Sequence, residues 1–134
     1  MTRTIALAPS IAEMQATAEA ALRQLPSAFA ARLGDIVLVV EDWPDEETLA
    51  ELGIDNHYEL TGVYEGLPLT ERSIEHSGTL PDRVRLFRRP ILDEWAERGD
   101  ETLEHLVAHV VVHEIGHHFG LSDEDMHALE EMVG

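Results

Sequence analysis

The stretch that most constrains this chain is "ETLEHLVAHVVVHEIGHHFG", residues 101–120. Leu103, Leu106, Val107, Val110, Val111, Ile115 and Phe119 recur at helical spacing and form a band too wide for a single apolar stripe. Such a helix is buried on most sides, so the rest of the chain has to be built around it. Asp100 is the expected N-cap. Gly120 is the expected terminator, because glycine enters the left-handed conformation without steric cost. The segment "HEIGHHFGLSD", residues 113–123, then sets three histidines and two carboxylates at and just beyond the end of this apolar element.

The remaining sequence supplies the cover. "SIAEMQATAEAALRQL", Ser10 to Leu25, opens with a serine cap and carries Glu13 three residues later, a capping box. Ile11, Met14, Ala18, Ala21, Leu22 and Leu25 fall on one face of that amphipathic helix. "DIVLVVEDW" is a short β-branched run between Gly34 and Pro44 and reads as a buried strand. A second strand is expected around Leu60 to Tyr64, with a turn at Glu65 to Pro68. A third is expected in "DRVRLFRRPI", where Pro90 and the arginines suit an edge strand. A short helix near Leu92 to Glu97 precedes the long one, and a last helix is expected from Ser122 to Met132, with Asp125 completing its cap. No repeat or linker divides the 134 residues, so one α+β domain is expected, with a small mixed or antiparallel sheet packed on the long helix.

Residues four apart on a helix share a face, so His113 and His117 can reach one ion. Glu114 lies about 100° round from His113, close to the ion without being its ligand. This is the HExxH pattern, in which two imidazoles hold zinc and the glutamate takes a proton from the attacking water. The chain has no cysteine, so any metal must be held by imidazole and carboxylate. A catalytic zinc site has three protein ligands, and Asp123, six residues beyond His117 and past the Gly120 break, is the candidate third. An acid in the first turn of a helix is also favoured by the dipole alone, and if Asp123 serves only that end, Glu130 or His127 is the next candidate.

Other polar groups nearby read differently. A four-residue step drifts about 40° per repeat, so His105 points away from the metal face, and His109 and His118 read as structural or supporting groups. Tyr64 and Arg72 are candidates to donate a hydrogen bond to a developing oxyanion, or simply to hold the turn. The net charge of −18, from 27 acids against nine arginines and no lysine, argues against a nucleic-acid or anionic-membrane partner. Four of the arginines cluster between Arg83 and Arg89. With no leader-like apolar segment and no membrane-spanning run, a cytoplasmic location is expected.

The extended pattern H-E-x-x-H-x-x-G-x-x-D resembles that of the zincin metallopeptidases whose third ligand is aspartate. More narrowly, "VVHEIGHHFGLSDEDM", "GVYEGLPLTERS" and "PDRVRLFRRPIL" are similar to the small bacterial zincin-like family described as mini-zincins. The resemblance covers roughly the last two-thirds of the chain. It implies a reduced zincin-like fold, His113, His117 and Asp123 as zinc ligands, and Glu114 as general base. It also implies that "RVRLFRRP" is the edge strand along which a peptide lies antiparallel. With eleven residues after Asp123, no C-terminal subdomain is expected, so the cleft is open or is closed by a partner chain, as in a homodimer.

Three functions compete on these residues. The first is a zinc peptidase, favoured by Glu114, which a binding site would not need. The second is a metal- or peptide-binding domain on the same scaffold with little or no turnover, favoured by the missing lower wall. The third is an interaction module using the acidic surface.

Overall fold

The computed structural model describes residues 8–25, 36–66, 82–120 and 124. In chain order these form α1 (Ile11–Arg23), β1 (Val37–Glu41), α2 (Glu46–Leu52), a 3₁₀ turn (His57–Glu59), β2 (Gly62–Glu65), β3 (Arg83–Phe87), α3 (Arg88–Arg98) and α4 (Leu103–Phe119). The class is α+β, as expected. The final helix and Arg72 fall outside the described residues. Among the described residues, no helix is long and apolar enough to cross a membrane.

The capping box of α1 is in place: the Ser10 hydroxyl accepts from the Glu13 amide at 3.1 Å, and the Glu13 carboxylate accepts from the Ser10 amide at 2.8 Å. Met14, Ala18, Ala21 and Leu25 are buried as their spacing requires, whereas Ile11, in the first turn, is exposed. They pack with Leu103, Leu106, Val107, Val110, Val111 and Ile115 of α4 and with Val84 and Leu86 of β3. Burying each such aliphatic side chain stabilises the fold by roughly 1.5–3 kcal/mol. α4 spans the expected apolar band and ends at Gly120, whose φ of 68° is left-handed. Its N-cap is Thr102 and not Asp100, because the Thr102 hydroxyl accepts from the His105 amide at 3.1 Å.

The sheet runs β1-β3-β2, with β1 parallel and β2 antiparallel to β3. The strand expected at an edge, Arg83–Phe87, is therefore the central one. Both sides of its backbone are taken by neighbours, so a peptide cannot lie along it, and the expectation of a substrate track at Arg83–Arg89 fails. Val84, Leu86 and Phe87 are fully buried, and the arginines are matched by carboxylates on adjoining elements. Arg88, Arg89 and Pro90 belong to the first turn of α3. Proline's missing N–H loses no helical bond there.

Two contacts fix how the sheet sits. A Cβ on Gly62 would stand 2.9 Å from Val110 Cγ1 and 3.1 Å from Leu86 Cδ2, so only glycine lets β2 lie this close to α4. On the other side, the Gln15 amide of α1 donates to Leu38 O at 2.7 Å and accepts from Val40 N at 2.9 Å. It occupies the outward backbone groups of β1 as a neighbouring strand would.

Candidate metal and catalytic site

His113, Glu114 and His117 occupy the last turns of α4, whose preceding residues are locked in the core. The two imidazole rings stand edge to face, with centroids 4.8 Å apart at 62°. Nitrogens sharing one tetrahedral zinc at about 2.0–2.1 Å lie roughly 3.3 Å apart, so rings at this separation suit a common ion. Glu114 is only 6% exposed, and its Oε1 lies 3.4 Å from Nδ1 of His117. An imidazole oriented through one nitrogen by a carboxylate turns its other nitrogen outward, the arrangement that supporting groups give to metal-binding histidines. The His117 side chain is 45% exposed, so the site opens to solvent. Glu114 lies one turn beyond Val110, which meets Gly62, so it projects towards the side of α4 on which β2 rests.

Among the described residues, no three His, Asp or Glu side chains are grouped to hold an ion. The expected third ligand, Asp123, lies outside the described residues, as do the alternatives His127 and Glu130. Two imidazoles of the right kind and spacing are thus in place, and the donor set fits zinc as far as it is described. His105 is turned away, with Nδ1 2.5 Å from a Glu101 carboxylate oxygen on the exposed side. His109 is half-buried one turn behind His113. The His118 side chain is not among those described. The Tyr64 hydroxyl sits beside Gly66, 3.0 Å from where a Cβ on that glycine would stand, at the bend after β2.

A second polar centre was not evident from the sequence. Arg85 is buried on the face of the sheet away from α4, and its guanidinium uses all five N–H groups. Nε and Nη2 grip Glu41 at 2.9 Å each, Nη2 also reaches Asp45 at 2.7 Å, and Nη1 reaches Glu65 at 2.8 Å and Thr48 Oγ1 at 3.0 Å. The Glu41 bond, which outweighs burial, holds the guanidinium even further above its ordinary range. The Arg85 and Thr48 bonds hold the Asp45 carboxyl well below the usual carboxylate range. For Glu65, burial pushes the carboxyl up, but bonds from Arg83 and Arg85 outweigh it and hold it down. The alternation of arginine with apolar residues over Arg83 to Leu86, in a chain rich in acids, is the signal the sequence offers for it.

Comparison with known proteins bears on the same residues. A family model described as zincin-like metallopeptidase matches residues 33–133, three-quarters of the chain, a span that includes the sheet and α4. No curated protein matches it.

Proposed function

The chain belongs to the zincin-like metallopeptidase family, and from that premise we propose that it is a zinc-dependent peptidase in which His113, His117 and Asp123 hold the ion. Zinc, when bound, would polarise the scissile carbonyl and make water acidic enough to attack near neutral pH. Glu114 accepts that water's proton on a carboxylate oxygen and returns it to the leaving amine. The observation that carries this reading is the buried carboxylate of Glu114, held beside two imidazoles that share a helix face.

The peptide is received by β2. Among the described residues, Gln15 occupies the outer edge of β1, β3 is central and no strand pairs with the far edge of β2, which is the edge we assign to backbone pairing with an extended chain. That edge is on the strand that rests on α4, so a peptide added there passes the side to which Glu114 projects.

A second reading, a domain that binds metal or peptide with little turnover, is favoured by the 45% exposure of the His117 side chain, since hydrolytic sites gain from excluding water. Glu114→Gln decides between them. It keeps size and both imidazoles, so zinc content should stay near that of the wild type. Cleavage of a broad peptide pool, sensitive to a chelating hydroxamate, should fall by about 10²–10⁴-fold. A zinc-loaded wild type that cleaves nothing would leave the binding reading.

A further inference from the structure

β2 is four residues long and, among the described residues, is hydrogen-bonded to one strand, β3. Short edge strands with a single partner open at low free energy. Along β2, Gly62 and Tyr64 face α4, and Val63 and Glu65 face the other way, opposite Arg85 and Arg83 in the register. Gly62 brings close approach but no side chain to grip with. Glu65 brings the grip. Its Oε1 accepts from Nε of Arg83 at 2.9 Å and from Nη2 of the same residue, and its Oε2 accepts from Nη1 of Arg85 at 2.8 Å. Arg85 is itself fixed to β1 through Glu41 and to the start of α2 through Asp45 and Thr48.

We propose that Arg85 and Glu65 form a clamp that holds β2 where its outer edge can receive the peptide, so that both are positioning residues although they lie on the face of the sheet opposite the HExxH helix. The clamp rests on the proposed function, because it is β2 that is assigned the peptide. Its geometry explains why the buried guanidinium is shared among three elements. One N–H group of Arg85 serves β2, and the others tie it to the end of β1, next to the core residue Val40, and to the start of α2. A peptide pairing with a loose strand must order that strand as it binds, and each such ordering weakens the complex. With the clamp closed, the strand is ordered beforehand.

The selective perturbation is at Glu65. Glu65→Ala frees β2 while leaving Arg85 its bonds to Glu41, Asp45 and Thr48, whereas removing Arg85 strands three carboxylates together. Glu65→Gln keeps one acceptor oxygen and should restore part of the effect. Two measurements on the zinc-loaded full chain test the clamp: amide hydrogen exchange of β1, β2 and α4, and binding of a fluorescein-labelled pool of random decapeptides by anisotropy. Loss of charge-assisted bonds of this kind should quicken exchange in β2 by about tenfold or more and weaken peptide binding by a similar factor. β1 and α4 should exchange as in the wild type, and Glu65→Gln should fall between the two. Unchanged exchange in β2, or equal quickening throughout the protein, overturns the clamp. A loosened β2 with undiminished peptide binding overturns its positioning role. Neither readout requires hydrolysis, so a wild type that binds peptide without cleaving it refutes the peptidase reading and not the clamp, and a wild type that binds no peptide overturns the assignment of β2.

Discussion

Gly62→Ala tests whether β2 is seated directly on α4, the helix that carries His113, Glu114 and His117. Alanine would ordinarily suit a strand better than glycine, by roughly 0.5–1 kcal/mol, because glycine loses more backbone freedom on folding. Here the added Cβ would lie 2.9 Å from Val110 Cγ1, 3.1 Å from Leu86 Cδ2 and 3.3 Å from the Arg85 carbonyl oxygen. Val110 is β-branched on a helix and cannot swing aside, and a carbonyl in the central strand cannot move without its ladder. Overpacking of this kind costs about 1–3 kcal/mol, which exceeds the gain, so the net change is a loss of about 1–2 kcal/mol. Urea denaturation of the metal-free protein measures it. Val110→Ala alone should also destabilise by leaving a cavity, but in the double variant the new methyl enters the space left by the valine. The loss in the double variant should then fall short of the sum of the two single losses by about 1 kcal/mol, a coupling expected only of residues in contact. If Gly62→Ala is as stable as the wild type, or if the losses add to within about 0.5 kcal/mol, then β2 does not press on α4 as described and the placement of Glu114 beneath it fails.

Other outcomes follow from the same structure. His113→Ala and His117→Ala should each abolish stoichiometric zinc binding by elemental analysis, since one imidazole and one carboxylate are too few ligands for a structured site; full zinc content in either variant would move the site elsewhere. Asp123→Asn should weaken zinc binding strongly while shifting the stability of the metal-free protein by about 1 kcal/mol or less; a change confined to the melting temperature would make Asp123 a helix-end residue. The Asp45 carboxyl is held below its ordinary range in the folded state, so its contribution is present above the unfolded value of about 4 and is lost as pH falls through the folded one. Melting temperatures from pH 7 down to about 2 should therefore fall less steeply in Asp45→Asn than in the wild type, and parallel curves would show that the Arg85 contact does not act on stability.

The parts of the fold that announced themselves did so through local chemistry. The apolar period of α4, its Gly120 stop and the capping box at Ser10 and Glu13 depend on residues a few positions apart, so the sequence displays both partners of each interaction. The same locality made His113, Glu114 and His117 legible as a group. At the start of α4, Asp100 and Thr102 are both good capping residues, and only the hydrogen bond to the His105 amide decides between them. Helix α2 went unseen although its punctuation was present: Asp45 caps it and Gly53, at φ 69°, ends it. With seven residues and only Thr48 buried, it shows no apolar period to read.

The misplaced strand has a different cause. Arginines and a nearby proline look like an edge when each is judged by its own preference for water. Arg85 is instead satisfied by carboxylates 44, 40 and 20 residues away in the chain, a matching that no local pattern carries. Which strands are the edges is likewise settled at a distance. Gln15 sits on α1 among residues whose spacing marks them as solvent-facing, yet its amide, 23 residues from Leu38, donates to the carbonyl and accepts from the N–H that β1 would otherwise offer to another chain. A side-chain amide can do this because it has the same hydrogen-bonding groups as a peptide unit. It ends the sheet on that side without adding a strand. Among the described residues this leaves β2 as the strand with one neighbour, beside the helix that carries Glu114, which is why the proposed peptide track is assigned to β2 and why a glutamine on the far side of the sheet bears on that assignment.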